Sequence, residues 1–260
     1  MTQTALITGA SSGIGASFAR RLAADGYHLI LVARRADKLE ALAAEVTANR
    51  SIRAEVIPAD LSRPEAPGAL LEAVTARGLT VDLLINNAGI GAHGPFEATT
   101  HDDDQRMIDL NISSLTAMTR AFLPGMLERR SGAVINVAST AAFQAIPYFA
   151  VYAATKAYVL AFSEALAEEV ADRGVKIVCL CPGPTATEFN DVAGVSKLEA
   201  AKKAPTMTAD AVAAEGLAGL KAGRVVQVAG LVNAFGASAG RLMPRQWVAK
   251  AAGLIFNPNR

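Results

Sequence analysis

The hydrophobic pattern of this chain alternates between two kinds of segment. Six short apolar runs read as buried strands: ALITG at 5–9, HLILVA at 28–33, AEVIPA at 54–59, VDLLIN at 81–86, GAVINVAS at 132–139 and VKIVCLC at 175–181. Between them apolar positions recur every three or four residues. Ala16, Phe18, Ala19 and Leu22 mark a helix over 13–25, and Leu39, Leu42 and Val46 mark one over 36–49. A third helix ends near Arg77. Ile108, Ile112, Leu115 and Phe122 share a stripe over 103–130, where Pro124 is expected to kink the last turns, and a further helix runs over 152–173. Near-continuous apolar strands joined by helices predict an α/β fold. The expected architecture is a doubly wound, mostly parallel, Rossmann-like sheet with helices on both faces, in a single domain over 1–260.

Two segments depart from that rhythm. Residues 184–206 follow a strand end and are rich in Thr, Ala, Lys and Pro. Loops at the carboxyl ends of such strands bind ligands, so this stretch is expected to be a substrate lid. Residues 229–260 form a basic apolar tail. No Asp or Glu occurs after Glu215, whereas Lys221, Arg224, Arg241, Arg245, Lys250 and Arg260 follow it. The chain's net charge is +1, so removing those six leaves −5 for residues 1–215. Pro244 is placed to start a helix that puts Trp247, Val248, Ala251, Leu254 and Ile255 on one face. Packing on the domain or on a second subunit is the expected fate of that stripe, with peripheral contact to an anionic membrane as the alternative.

The turn after the first strand carries Gly9, Ser11, Ser12, Gly13, Ile14 and Gly15. Glycines there permit a tight turn and close approach of backbone to a phosphate. The helix that follows offers unpaired N–H groups and a positive dipole end, and the serines add hydroxyl donors. The spacing is G-x-x-x-G-x-G. The same residues spell G-x-S-x-G, the turn of a serine hydrolase. That reading needs a histidine late in the chain, and the three histidines are His28, His93 and His101.

Tyr152 and Lys156 stand four apart at a predicted helix start and so share one face. An unperturbed phenol titrates near pH 10, too high for a good base, and a neighbouring ammonium is expected to lower it. Tyr152 can then give a proton to a carbonyl oxygen or take one from an alcohol. Ser139, at the end of the fifth strand, can hold that oxygen by a hydrogen bond.

With Asn86-Asn87-Ala88-Gly89 ending the fourth strand, Asn111 in the long helix and Pro182-Gly183 after the sixth strand, the ordered set resembles the short-chain dehydrogenase/reductase family over residues 4–228. The resemblance implies an oxidoreductase that interconverts a carbonyl and an alcohol by hydride transfer. It implies Asn111, Ser139, Tyr152 and Lys156 as the catalytic set. Lys156 would also bind the nicotinamide ribose, and Asn111 would hold a water linking the lysine to solvent. It further implies that Asp60, beside Leu61, accepts a hydrogen bond from adenine. Asn87, with Ala88 and Gly89, would contact the adenine ribose, and Pro182, Gly183 and Thr187 would hold the nicotinamide amide. The family commonly pairs two helices across a two-fold axis. Ala153, Ala154, Ala157, Ala161 and Ala165 on the Tyr152 helix permit such an approach, so a homodimer or homotetramer is expected.

The second strand ends Val32-Ala33-Arg34-Arg35. An acid there would repel a 2′-phosphate. Ala33 takes its place, and two arginines suited to a phosphate fork follow, so NADP is expected over NAD. Asp37 is expected to cap the next helix. A non-catalytic dinucleotide-binding protein is the competing function, and it has no use for the Ser139, Tyr152 and Lys156 set.

Composition fits these readings. Charged residues make up 19% and hydrophobic ones 52%, which suits a large core, and the small net charge excludes a global field for nucleic acid. The acids Asp102, Asp103 and Asp104 are expected to begin a helix, not to bind a metal. Cys179 and Cys181 lie two apart on one strand, which points to packing in a reducing, cytoplasmic setting.

Overall fold

A computed structural model describes residues 2–194, 206–239 and 243–258. Seven parallel strands form the central sheet. They are β1 (Thr4–Thr8), β2 (His28–Ala33), β3 (Ala54–Pro58), β4 (Leu83–Asn86), β5 (Gly132–Val137), β6 (Val175–Cys181) and, after the two short strands named below, β9 (Val226–Val228). Their spatial order is β3-β2-β1-β4-β5-β6-β9. The sequence pattern predicts the first six and not β9, a three-residue edge strand too short to show a period.

Alternate residues of each inner strand feed two separate cores. Ala5 and Ile7 of β1, Leu29 and Leu31 of β2, and Leu83 and Ile85 of β4 face one side. There they meet Phe18, Ala19 and Leu22 of α1 (Gly13–Ala24) and Leu39, Leu42 and Val46 of α2 (Ala36–Thr47). Leu6, Ile30, Val32 and Leu84 face the other side, against Leu70 and Val74 of α3 (Ala66–Ala76) and Met118, Phe122 and Met126 of α5 (Leu115–Glu128). Period-2 alternation with both faces apolar is why these strands look continuously hydrophobic in sequence.

The long predicted helix is three pieces. α4 (His101–Ile108) gives way to a π-helical stretch at Asp109–Ser114, and α5 follows. Thr100 caps α4 by accepting from the Asp103 N–H at 3.1 Å, and Asp102, Asp103 and Asp104 fill its first turn as expected. Pro124 sits inside α5, which continues to Glu128. The departure from α geometry therefore lies at Asn111's own turn, a kind of bulge often found at functional sites. Asp37 is not a cap. Arg35 holds that position, its side chain making no capping bond to the helix, and Asp37 lies in the first turn, where its charge suits the helix dipole.

The chain after β6 forms β7 (Thr185–Ala186), α7 (Phe189–Val192), β8 (Met207–Thr208) and α8 (Ala209–Lys221). β7 and β8 pair in parallel, so both ends of the expected lid are tied together, while its residues 195–205 lie outside the described residues. The tail forms α9 (Leu231–Ala239) and α10 (Arg245–Phe256). Ala252 is the buried residue of α10, and Phe256 packs beside it on the domain. Most of the predicted stripe does not face the domain: Trp247, Leu254 and Ile255 are 65%, 59% and 53% exposed, while Val248 is half-buried and Ile255 also reaches the cavity described below. The helix turns its smaller face inward, where Gly253 meets Pro147. Among the described residues no helix is long and apolar enough to cross a membrane.

Candidate active site

Strand order reverses between β1 and β4, and the crevice beyond their carboxyl ends is where such sheets bind ligands. The glycine turn fills one side of it. Gly9 and Gly13 have φ of +65° and +56°, a region that side chains avoid. A Cβ on Gly9 would also lie 2.8 Å from Asn87 Nδ2 and 3.0 Å from the Ala88 Cα. That contact is stapled by Thr8. Its hydroxyl accepts from the N–H groups of Asn87 and Ala88 at 2.9 and 3.0 Å, and Asn87 Nδ2 donates back to the Thr8 carbonyl at 2.9 Å. The two adjacent asparagines thus do different work. Asn87 locks the two loops together. Asn86 points to the opposite face and donates to Thr119 and Asn136 at 3.0 and 2.9 Å.

Ser12 stands before α1 in an extended conformation, and no side chain caps the helix. Its first-turn N–H groups and positive dipole end are left facing the cavity wall formed by Gly13 and Ile14. Arg35 Nη2 donates to the Ser11 and Ser12 hydroxyls at 3.0 and 3.1 Å. Arg34 also lines the cavity. The Ser62 hydroxyl chiefly holds the Asp60 carboxyl below its usual range, with a smaller contribution from the Arg34 charge. Of the two arginines, Arg35 is the one that reaches the glycine turn.

On the opposite wall, β5 delivers Ser139 and α6 (Ala150–Glu169) delivers Tyr152 and Lys156 on one face. The Tyr152 ring is wedged between Phe149 and Phe189, with centroids 4.6 and 5.5 Å away. Burial pushes its phenol up to about 12, against a weaker downward pull from a hydrogen bond with Ser139. Lys156 donates to the Val137 carbonyl at 2.9 Å, and burial lowers its ammonium to about 8. The expectation that Lys156 depresses the phenol is therefore not met here. Desolvation moves both groups toward their neutral forms and exceeds any mutual attraction.

Asn111 is fully engaged behind this wall. Its Nδ2 donates to the Ile90 carbonyl at 2.9 Å and to Thr155 at 3.0 Å, and its Oδ1 accepts from the Ile90 N–H at 3.0 Å. It anchors the loop after β4 to α6. Gly89 threads between Asn111 and Lys156: a Cβ there would lie 3.1 Å from Asn111 Oδ1 and 3.4 Å from Lys156 Nζ.

A single cavity of about 640 Å³ joins these pieces. Gly9, Ser11, Ser12, Gly13, Ile14, Arg34, Arg35, Asp60, Leu61, Asn87, Ala88 and Gly89 line it toward the glycine turn. Ser139, Tyr152, Lys156, Pro182, Gly183 and Thr187 line it toward the far end. Two expected residues do not reach it. Gly15 lies beneath the turn against the Gly9 carbonyl, and Asn111 lies behind Ile90. Sequence pattern does not single out Thr8, Glu188, Phe149, Phe189 or Phe256, and it reads Ile255 as part of the tail's packing stripe and not of the site. Phe149, Phe189, Ile255 and Phe256 make the far end apolar, and their sequence signal is aromatic or aliphatic character near the lid and tail. Asn233 of α9 covers Gly183, so the tail braces the Pro182-Gly183 turn.

Residues 3–197 match the family model of the short chain dehydrogenases. The chain belongs to the short-chain dehydrogenase family. A very-long-chain 3-oxoacyl-CoA reductase-like protein of Arabidopsis thaliana is 36% identical over 219 residues, which cover 81% of this chain and 69% of that protein. Hydroxysteroid dehydrogenase-like protein 1 of Gallus gallus is 37% identical over 188 residues, 71% of this chain and 56% of its own length. The chain thus spans little more than half of the second relative. Among solved structures, a short-chain dehydrogenase from Sphingobium yanoikuyae in complex with NADPH superposes with a TM-score of 0.83 at 33% identity, covering 95% of this chain and 94% of that one.

Proposed function

We propose that this protein is an NADP(H)-dependent reductase of bulky apolar ketones or related carbonyls, with Tyr152 as the general acid and base. The observation that carries the reading is the continuity of one cavity from the glycine turn, past the Tyr152 phenol, to the apolar end at Phe149, Phe189, Ile255 and Phe256. The names of the two relatives point to long-chain acyl and steroid carbonyls, which an apolar pocket of this kind suits.

The residues present fit a dinucleotide with a 2′-phosphate. Arg35, the Ser11 and Ser12 hydroxyls and the open end of α1 converge, and Arg35 already holds a carboxylate there, that of Glu188 at 2.9 Å. Ala33 at the end of β2 offers no acid to repel a phosphate. When bound, the nicotinamide supplies a hydride to the carbonyl carbon. The chain does the rest. Ser139 holds the carbonyl oxygen, and the Tyr152 phenol, kept protonated by burial, donates its proton to that oxygen as the alcohol forms. The phenolate left behind is stabilised by the Lys156 ammonium, 5.8 Å from the ring centroid. In the reverse direction Tyr152 takes the alcohol proton. Asn111 positions the Ile90 loop and α6.

We also read the protein as a cytoplasmic homodimer or homotetramer. Ala154, Ala157, Ala161 and Ala165 of α6 lie exposed beside Tyr158, while Ala153 is buried. This face and the apolar tail face are the two surfaces a second copy would cover. The test of the activity is NADPH oxidation by purified protein across a panel of ketones of increasing size. Turnover of bulky apolar ketones with NADPH supports the reading, and absence of NADPH oxidation across the panel counts against it.

A further inference from the structure

Glu188 follows directly on Thr187 and lies 153 positions from Arg35, yet its carboxylate bridges two cations at the cofactor end of the cavity. Oε2 accepts from Arg35 Nη2 at 2.9 Å, and Oε1 accepts from Lys38 Nζ at 2.8 Å. The same Arg35 nitrogen donates to Ser11 and Ser12. Thr187 is pressed onto the glycine turn, since a Cβ on Gly13 would lie 3.0 Å from Thr187 Cγ2. The segment after β7 is therefore closed over the turn, and its carboxylate occupies the donors that a phosphate would use.

The hydrogen bonds from Lys38 and Arg35 hold the Glu188 carboxyl down to about 2, so it is an anion at every working pH. Its side chain is 49% exposed, and those of Arg35 and Lys38 are 42% and 40% exposed. Ion pairs that open to water contribute little and exchange readily. Such a bridge is suited to yield its place to a dianionic phosphate, which offers more charge and more acceptors to the same donors.

Resting on the NADP reading above, we infer that Glu188 is a specificity-determining residue: its carboxylate competes with the cofactor 2′-phosphate for Arg35 and Lys38. The competition weakens NADP(H) selectively, and phosphate binding releases the Thr187–Glu188 segment from the turn. NADH, which lacks the phosphate, leaves the bridge in place.

The experiment is calorimetric titration of the full chain and of Glu188→Gln with 2′,5′-ADP, 5′-AMP, NADPH and NADH. Glu188→Gln is expected to tighten 2′,5′-ADP and NADPH by about three- to tenfold, with 5′-AMP and NADH changed less than twofold. Glu188→Ala should behave alike, and unchanged melting temperatures confirm that both variants are folded. Equal loss for NADPH and NADH overturns the proposal, because Glu188 would then clasp bound dinucleotide of either kind. An unchanged affinity overturns it as well. A wild type that prefers 2′,5′-ADP while Glu188→Gln leaves that preference alone refutes the competition but keeps the NADP reading. A wild type and variant that both ignore the 2′-phosphate refute both.

Discussion

The Lys156 ammonium donates its hydrogen bond to the Val137 carbonyl at 2.9 Å and lies 5.8 Å from the centroid of the Tyr152 ring, alongside the phenol's aromatic body. The strand that delivers Ser139 therefore also fixes the lysine. Both titratable groups are buried, and burial opposes charge on each, raising the phenol to about 12 and lowering the ammonium to about 8. On the proposed function, this is the state in which Tyr152 serves as the proton donor. The phenol holds its proton through the neutral range, and Lys156 is the cation placed to stabilise the phenolate that donation creates.

Tyr152→Phe should fold normally, since the ring contacts to Phe149 and Phe189 do not need the hydroxyl. Turnover of a confirmed ketone should fall by about 10²–10⁴-fold, the usual contribution of a positioned acid, with cofactor affinity nearly unchanged. Steady-state kinetics alongside a cofactor titration checks both. Turnover near that of the wild type would remove Tyr152 from the chemistry.

Lys156→Met gives a stability prediction with a definite sign. The folded-state value near 8 lies below the ordinary 10.5, so between those two pH values the unfolded chain binds more protons than the native one. Wild-type stability then rises with pH in that window, and the cost of a buried charge is fully present below pH 8. Relative to the methionine variant, the wild type should gain about 2 kcal/mol between pH 7 and pH 9.5. Urea unfolding of the two proteins in parallel measures this, and a difference independent of pH would show that Lys156 is not penalised by burial.

Much of this site is legible in the chain because its parts follow strand ends. Gly9–Gly15, Asn87–Gly89, Ser139 and Pro182-Gly183 each terminate an apolar run, and a parallel sheet brings all such ends to one edge. Tyr152 and Lys156 are legible by their spacing. Other features depend on long-range contacts that no local pattern encodes. Thr8 reads as the last residue of a strand, and its stapling role appears only when β4 comes alongside. Glu188 reads as a loop acid until its bridge to Arg35 is seen. The π-helical turn at Asp109–Ser114 keeps an ordinary helical sequence, and Pro124, the visible breaker, is absorbed within α5. α10 misleads for another reason. Its strongest apolar stripe is real, but Ala252 and Phe256 make the main contact with the domain, leaving Trp247 and Leu254 outward.

The two arginines after β2 should separate in cofactor binding. Arg35 reaches Ser11 and Ser12, whereas Arg34 borders Asp60. In a Glu188→Gln background, where competition from the carboxylate is removed, Arg35→Ala should weaken NADPH by about 10- to 150-fold. NADH should change much less. Arg34→Ala should have the smaller selective effect, because Arg34 lies by Asp60 and it is Arg35 that bonds the serine hydroxyls. Titration of both nucleotides decides this, and an Arg34→Ala loss exceeding that of Arg35→Ala would reverse the assignment.

The tail gives the last prediction, and Trp247 reports on it because it is the chain's one tryptophan. Leu231, Val232 and Phe235 of α9 are 91%, 71% and 77% exposed, and Trp247 and Leu254 of α10 lie open as well. So much exposed apolar surface marks an interaction site. A second copy is the expected cover. Residues 216–260 carry six positive charges and no negative ones, and the first 215 residues sum to −5, so the basic C-terminal segment of one subunit suits the acidic body of another. Light scattering at micromolar concentration should give a dimer or tetramer, with Trp247 emission blue-shifted and protected from acrylamide. Added salt should weaken the assembly, because exposed charges are screened. Trp247→Glu should push it toward monomer without loss of the fold, since Ala252 and Phe256 still hold α10 to the domain. A monomeric wild type whose tryptophan is freely quenched, and becomes shielded only by anionic vesicles at low salt, would assign this face to a membrane surface instead.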